Sequence, residues 1–144
     1  MATVEDAPIL GALVEHYWRF ERLQGYDRLR IEALLEILLG DSRAGAAWLA
    51  YDGVTAIGYL LVVYVFSLEH GGLTAEIDEL YVRDDCRGAG VGAQLVAVSE
   101  SFLASLGCKS VALQLGRTNH AGRAFYEKCG YSARAAYELL EKNL

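Results

Sequence analysis

Apolar residues recur every three or four positions in two stretches of the first forty residues. This spacing places them on one side of an α-helix, so it predicts two amphipathic helices whose apolar faces belong to the core. Thr3 and Asp6 are typical of a capped start for the first helix, Asp27 is typical of a cap for the second, and Gly40 ends it. The predicted faces are Ile9, Leu10, Leu13, Val14 and Tyr17, then Ile31, Leu34, Leu35 and Leu38.

The pattern then changes to runs of β-branched and aromatic residues between glycine turns, which is typical of strands. Asp52-Gly53 and Gly71-Gly72 indicate tight turns, so three consecutive strands form an antiparallel meander. Gly58 is expected to interrupt the second strand. The predicted strands are Ala47–Tyr51, Val54–Phe66 and Leu73–Val82.

Helices and strands alternate after the meander. A helix over Gly92–Leu106, closed by Gly107, is expected to bury Leu95, Val98, Phe102 and Leu106. Asn119 starts another helix that ends near Cys129-Gly130. Ser110–Leu115 is predicted to lie parallel to Leu73–Val82, because a helix connects the two strands. A last strand is predicted at Tyr131–Leu140. The expected fold is α/β (α+β in some schemes), with a mixed, mostly antiparallel central sheet flanked by helices in one domain, residues 1–144.

Composition narrows the function classes. The net charge of −6 argues against general nucleic-acid binding, which needs a basic face. The cysteines Cys86, Cys108 and Cys129 lack disulfide or zinc spacing, so no metal is expected. The N-terminus shows no signal peptide, and the longest uncharged apolar run, Ala56 to Phe66, is too short for a membrane helix. A cytoplasmic protein without a nucleic-acid or membrane partner is expected.

Three glycines alternate at positions 88, 90 and 92, between the strand Ile77–Val82 and the start of a helix. Such a loop points backbone N–H groups at one spot beside the positive end of a helix, which suits phosphate or pyrophosphate. The spacing differs from the dinucleotide fingerprint, and no Lys-Ser/Thr pair follows as in a P-loop. The alternative interpretation is a tight strand-to-helix turn in which the glycines serve packing alone.

Two motifs resemble those of the GNAT superfamily of acyl-CoA-dependent N-acyltransferases. Arg87–Gly92 is similar to the signature Q/R-x-x-G-x-G/A, and Asn119–Tyr131 is similar to N-x-x-A-x-x-F-Y-x-x-x-G-Y/F, with Gly122 in place of alanine. The resemblance implies the GNAT fold. The family's first strand is expected to be absent or very short, which would leave a sheet edge open or filled by a partner chain, so a homodimer is possible.

The resemblance implies acetyl-CoA as co-substrate. It assigns the pyrophosphate to backbone N–H groups, with a further contact from the Arg87 side chain, and the pantetheine arm to the strand before the loop. There the amide of Leu80 or Val82 polarises the thioester carbonyl. Tyr126 would lie near the sulfur and protonate the leaving thiolate, while Asn119 both caps its helix and touches the arm. The implied cofactor-binding residues are Leu80, Tyr81, Val82, Arg87, Gly88, Ala89, Gly90, Val91, Gly92, Ala93, Asn119 and Tyr126.

The strand before the loop carries three acids, Glu76, Asp78 and Glu79. Central strands are usually apolar, so acids there favour function over a solvated face. Alternation places Glu76 and Asp78 on one face and Glu79 on the other, although a bulge would shift this. Glu79 and Asp78 are the predicted bases, without preference between them. Cys86 and His120 are expected to have no chemical role.

The amine acceptor is expected between the first two helices and the turn before the central strand. Aromatic residues beside acids suit a cationic amine. The candidates are His16, Tyr17, Trp18, Phe20 and Tyr26, with the segment Phe66–His70. The predicted function is direct acetyl transfer to a primary amine of a cationic small molecule or protein. The alternative is a non-catalytic CoA-binding sensor or interaction module on the same fold.

Overall fold

The computed structural model describes residues Met1–Asn143. The chain divides into two compact units, an N-terminal unit of Met1–Gln114 and a C-terminal unit of Leu115–Leu144. The prediction of one domain over residues 1–144 stays a prediction. The helices are α1 (Ala7–Phe20), α2 (Arg28–Gly40), α3 (Val91–Ser105) and α4 (His120–Lys128), and the strands are β1 (Gly45–Asp52), β2 (Thr55–Ser67), β3 (Gly72–Val82) and β4 (Val111–Leu113).

The four strands form one sheet in the order β1-β2-β3-β4. Strands β1, β2 and β3 pair antiparallel, and β4 pairs parallel to β3. The predicted meander and the helical crossover between β3 and β4 are therefore confirmed, as is the mixed, mostly antiparallel sheet. No strand precedes Gly45, as expected, and one backbone bond, from Ala2 N to Ala47 O at 2.8 Å, reaches the outer edge of β1.

The core of the N-terminal unit lies on both faces of the sheet. Helices α1 and α2 pack on one face, where Leu10, Tyr59 and Tyr81 belong to a single buried cluster. Helix α3 packs on the other face, where the rings of Trp48 and Phe102 meet edge to face at 5.6 Å. This arrangement fixes the surroundings of both faces of β3.

The predicted buried face of α3 was wrong in part. Val98 and Leu106 are 54% and 47% exposed, and the buried residues are Leu95, Val96, Ser99 and Leu103. This helix is apolar on most of its circumference, so periodicity alone does not select the side that meets the sheet. Leu34 of α2 is also exposed, at 51%, whereas Leu35 is buried.

The expected helix caps are present. Thr3 and Asp6 form a capping box before α1, with the Thr3 amide donating to Asp6 Oδ2 at 2.8 Å. Asp27 accepts a hydrogen bond from the Arg30 amide at the start of α2. These side chains satisfy amides that a helix start leaves unpaired. No helix within residues 1–143 is long and apolar enough to cross a membrane.

Two strand predictions need correction. Gly58 does not interrupt β2, and an added Cβ there would lie 2.7 Å from the Tyr81 carbonyl oxygen, so glycine permits the close approach of β3. The predicted strand Tyr131–Leu140 was wrong, because residues 131–143 contain no strand and a turn joins Tyr137 N to Arg134 O. Its side chains after Tyr131 are exposed, so neither face of a strand would be buried.

Candidate functional site

Strand β3 has a parallel neighbour along its first half only. The ladder with β4 runs from Ala75 opposite Val111 to Ile77 opposite Leu113 and stops there. From Glu79 to Val82, β3 continues to pair with β2, while within Met1–Gln114 no strand pairs with its other edge. The second half of β3 therefore has an open edge directly before the glycine loop.

The backbone of this open edge presents hydrogen-bond donors. The Arg83 amide donates to Ile57 O at 2.9 Å and so points toward β2. Because amides along an antiparallel strand point alternately to its two sides, those of Leu80 and Val82 point toward the open edge. The Val82 carbonyl accepts a hydrogen bond from Arg87 Nε at 2.8 Å, which agrees with this direction. The two amides singled out in the sequence thus lie where an extended ligand would pair.

A β-bulge at Asp78 changes which acids share a face. Leu61 of β2 lies opposite Glu79, and the next residue, Val62, lies opposite Ile77, so Asp78 is an extra residue in β3. Glu76 and Glu79 consequently both lie on the face covered by α1 and α2. Simple alternation would have placed them on opposite faces, so the bulge corrects that expectation.

Glu79 is the most constrained of the three acids. Its Oε2 accepts a hydrogen bond of 2.6 Å from the hydroxyl of Tyr59, and the Trp18 indole, a further donor from α1, lies close enough to lower its pKa. Burial raises the pKa of Glu79, the bond from Tyr59 opposes that rise, and neighbouring Asp78 adds to it. A carboxyl group in this state takes up a proton closer to neutral pH than an exposed one does.

The other two acids, Asp78 and Glu76, differ from Glu79 in solvent exposure and in hydrogen-bond partner. Asp78 is exposed, yet partial desolvation, and secondly Glu76, raise the pKa of its carboxyl. Glu76 Oε1 accepts a hydrogen bond of 2.8 Å from Gln114 Nε2 just beyond β4. Glu76 therefore stabilises the paired half of the strand, whereas Asp78 and Glu79 lie along the open half.

The loop after β3 forms an anion cradle, which we define as residues 88–93. Gly88 and Gly90 adopt positive φ angles of 81° and 84°, and nothing lies within 4 Å of where their Cβ atoms would be. Among residues 1–143, no acceptor takes a hydrogen bond from the amides of the cradle, whereas the next amide, of Gln94, donates to Gly90 O. Unpaired amides at the start of α3 make a site for an anion.

Ion pairs neutralise the acids that precede the cradle. Arg83 pairs with Asp85 and Arg87 pairs with Asp84, each at 2.8 Å. The Arg87 guanidinium also lies 4.3 Å from the centre of the Phe20 ring at the end of α1. The positive end of α3 therefore dominates the field at the cradle. The predicted contact of Arg87 with a pyrophosphate stays a prediction.

The predicted acceptor residues described below lie in three separate places. Tyr17 meets Tyr81 edge to face at 6.4 Å, and Trp18 meets Tyr26 at 5.8 Å, so both rings lie beside the Glu79 side of the sheet. His16 lines a different groove, with Pro8, Arg28 and Arg83. The segment Phe66–His70 forms the tip of the β2–β3 hairpin, where Phe66 and Leu68 are exposed.

The C-terminal unit carries the second motif. Asn119 caps α4, with its Oδ1 accepting from Gly122 N at 2.8 Å, and His120 is an exposed residue at the helix start. The Tyr126 ring packs edge to face against Phe125 and Tyr131, at 5.0 and 5.5 Å. Burial, and secondly Cys129, raise the pKa of Tyr126 to about 12, so its phenol stays protonated near neutral pH.

Comparisons with known proteins agree with this arrangement. A model of the acetyltransferase (GNAT) family matches residues 10–131. The chain belongs to the GNAT family. An uncharacterised N-acetyltransferase of Bacillus subtilis strain 168, YhfO, is 26% identical over 130 residues, which cover 90% of this chain and 86% of the relative. An uncharacterised N-acetyltransferase of Archaeoglobus fulgidus is 31% identical over 103 residues, 70% of this chain and 69% of the relative.

A solved structure extends the comparison to the fold. An integron cassette protein from the mobile metagenome of the Cole Harbour Salt Marsh superposes with a TM-score of 0.88 at 25% identity, covering 99% of this chain and 88% of that one. The family resemblance and the fold predicted from the two motifs are therefore confirmed. Membership also supports acetyl transfer as the general chemistry of the chain.

Sequence reasoning missed two contacts of this GNAT chain. Tyr59, which bonds to Glu79, lies in a run of apolar residues within the predicted strand Val54–Phe66, and no role was predicted for it. Phe20 is one of the predicted acceptor residues, whereas in the structure its ring contacts Arg87. A tyrosine within a mostly apolar central strand was the available signal, because a buried hydroxyl needs a partner.

Proposed function

We propose that this GNAT chain transfers the acetyl group of acetyl-CoA directly to a primary amine of a cationic small molecule or protein. One observation carries the proposal: the open edge of β3, with outward amides at Leu80 and Val82, is followed after the short turn of residues 83–87 by the anion cradle. An extended ligand with an anionic end needs these two features in succession. The family model over residues 10–131 supports acetyl transfer as the reaction.

The residues present fit acetyl-CoA. The amides of Gly88–Ala93 have no acceptor among residues 1–143 and would bind the pyrophosphate, and the open space at Gly88 and Gly90 lets an anion come close. The Leu80 or Val82 amide would donate to the thioester carbonyl and stabilise the negative charge that grows on its oxygen. The bound co-substrate supplies the acetyl group on a thioester.

Glu79 is the group we propose to take the proton from the amine. Its raised pKa matches a general base better than that of an exposed carboxylate would, because proton transfer works best when the pKa lies near the working pH. Asp78 is the second candidate, at the bulge next to it. Together with the rings of Tyr17 and Trp18, these acids favour a cationic acceptor.

Tyr126 is the group we propose to protonate the leaving thiolate. Its place in the second motif supports this role, and so does a phenol that keeps its proton at neutral pH. Its hydroxyl has no hydrogen-bond partner within residues 1–143, so it is available as a donor. A cytoplasmic location and a homodimer stay predictions.

Thiol release from acetyl-CoA tests the proposal. The full chain is assayed with a polyamine, an aminoglycoside, an amino acid and a peptide amine, and at least one is expected to support turnover. Tyr126→Phe is expected to lower kcat by about 10²-fold or more, with unchanged CoA affinity. Tyr137→Phe, which removes an exposed phenol of the same unit, serves as the matched control. CoA binding without turnover on any amine would instead support the non-catalytic CoA-binding module.

A further inference from the structure

Glu79 is held by donors from two other elements of the N-terminal unit. Tyr59 reaches it from β2 with a hydrogen bond of 2.6 Å between the phenol oxygen and Oε2, and Trp18 reaches it from α1. Hydrogen bonds to an ionised carboxylate are shorter and stronger than those between neutral groups. The short bond from β2, with the Trp18 indole beside the carboxylate, restricts a side chain that has three rotatable bonds of its own.

Tyr59 itself is sealed in the core. Its side chain is 0% exposed, and its ring lies 6.3 Å from that of Tyr81. Glu79 is the one acceptor found for its hydroxyl among residues 1–143. A phenol buried without a partner would be costly, and phenylalanine would fill the same space without that cost. The hydroxyl is therefore explained by the bond that it makes and not by packing.

Trp18 is held in its turn by the region between α1 and α2. Its ring meets Tyr26 edge to face at 5.8 Å, and the Tyr26 hydroxyl donates to the Gly11 carbonyl at 2.7 Å. A chain of contacts thus runs from the backbone of α1 through Tyr26 and Trp18 to Glu79. Side chains fixed in this way lose less entropy when they bind and orient a substrate.

We infer that Tyr59 and Trp18 are positioning residues, which hold the Glu79 carboxylate in one orientation and favour its ionised form for reaction with the amine. The inference rests on the role proposed above for Glu79. The groups that face Glu79 are Asp78 on β3, Tyr59 on β2 and Trp18 on α1, with Tyr17 and Tyr81 around Tyr59. Of these, Asp78 opposes the ionised form, and the two donors support it.

The titration of Glu79 in the free protein tests the inference without any acceptor. Carboxyl ¹³C NMR of the full chain follows Glu79, assigned from the signal missing in Glu79→Gln. Tyr59→Phe removes the donor and keeps the ring, so the pKa of Glu79 is expected to rise above that of the unmodified chain. Tyr64→Phe removes another phenol from β2, one on the α3 face, and is expected to leave the titration unchanged. An unchanged titration in Tyr59→Phe would overturn the inference.

Trp18→Phe supplies a second variant, should Tyr59→Phe fail to fold. It removes the indole donor, so its Glu79 pKa is also expected to rise, and no change there would count equally against the inference. With an amine that the unmodified chain acetylates, each variant is expected to lower kcat/KM by about tenfold and to move its acid limb to higher pH.

The pH profiles of kcat/KM distinguish a failure of this inference from a failure of the proposed function. Full activity of Glu79→Gln would remove the proposed base, and with it the basis of the inference. An inactive Glu79→Gln together with an unshifted acid limb in Tyr59→Phe would keep the base and overturn its positioning by Tyr59. An equal loss of kcat/KM at every pH would likewise indicate a structural role alone.

Discussion

The two halves of β3 differ in their neighbours: the first half is paired along both edges, and the second half is paired along one edge only. Residues 72–77 pair with β2 on one side and reach β4 on the other, and Ile77 is buried there. Residues 79–82 pair with β2 alone, and two acids, Asp78 and Glu79, lie at the bulge where this half begins. One extra residue and a short neighbouring strand are enough to turn a core strand into a binding edge.

The difference shows why polar residues are tolerated in the middle of this sheet. In the first half, Glu76 has a partner in Gln114. In the second half, Glu79 accepts a hydrogen bond from Tyr59, while the outward amides of Leu80 and Val82 face no partner strand within Met1–Gln114. Buried polar side chains are satisfied locally, and the unsatisfied capacity lies on backbone amides that a ligand can use.

Replacement of Glu79 is expected to have the largest effect. Glu79→Gln removes the proposed base and keeps the shape, so kcat/KM for an accepted amine should fall by roughly 10²–10⁴-fold with CoA affinity unchanged. Initial rates of thiol release and CoA titration measure the two quantities. Glu76→Gln, on the same face in the paired half, is the control and should stay within about threefold. An equal loss of kcat/KM in the two variants would contradict a catalytic role confined to the second half of β3.

Truncation of a side chain is expected to destabilise the protein more in the first half of β3 than in the second half. Ile77→Ala is expected to lower the free energy of unfolding by about 2–4 kcal/mol, because Ile77 is buried on the α3 face. Leu80→Ala, on the same face in the open half, should cost about half as much, since Leu80 is only partly buried. Urea unfolding of both variants checks this, and a larger loss for Leu80→Ala would contradict it.

Substitution of two glycines that have similar backbone angles distinguishes an effect on CoA binding from an effect on folding. Gly90→Ala and Gly107→Ala both place a side chain at positive φ, 84° and 76°, and each should cost about 1 kcal/mol of stability. Only Gly90 lies in the anion cradle, so its substitution should also weaken CoA binding by about tenfold, because strain redirects the amides. Calorimetric titration with CoA measures the difference. Equal affinity in the two variants would mean that the cradle does not bind the pyrophosphate.

The smallest expected effect concerns Asp78. Because partial desolvation and Glu76 raise the pKa of Asp78, the folded chain keeps this proton to higher pH than the unfolded chain does. The resulting loss of stability is absent below the ordinary carboxyl pKa and complete above the raised one. Asp78→Asn should therefore stabilise the chain at neutral pH by less than about 1 kcal/mol, since the side chain is exposed.

Unfolding of this variant at pH 3 and pH 7 checks the prediction. The gain from Asp78→Asn should vanish at the lower pH, where the carboxyl is protonated in both states. Asp84→Asn is the control, because it removes an acid that has an oppositely charged partner, Arg87. It should not stabilise the chain at pH 7. A gain for Asp78→Asn that persists at pH 3 would show that the carboxylate charge is not its cause.

The local features of the chain could be predicted from its sequence. The caps at Thr3, Asp27 and Asn119, the turn at Asp52-Gly53 and the glycines before α3 all depend on residues within a few positions of one another. Their conformations follow from short-range hydrogen bonds and from the backbone freedom of glycine. The two family motifs are local patterns of this kind, so they indicated the fold correctly.

The errors arose where burial depends on another element. The buried side of α3, the exposure of Leu34 and the missing strand after Tyr131 were all set by what packs, or does not pack, against the segment. An apolar residue is equally apolar on either side of a helix. Periodicity therefore predicts that a face is buried, and it does not tell which of two similar faces meets the sheet.

The sequence by itself determined the cradle of glycines and helix amides and the presence of acids on the strand before it. Only the tertiary structure decided that Glu79 faces Tyr59 and Trp18, and that Arg87 contacts Phe20. The physical reason is register: a single extra residue at Asp78 moves every later side chain of β3 to the opposite face, and it becomes visible only against β2.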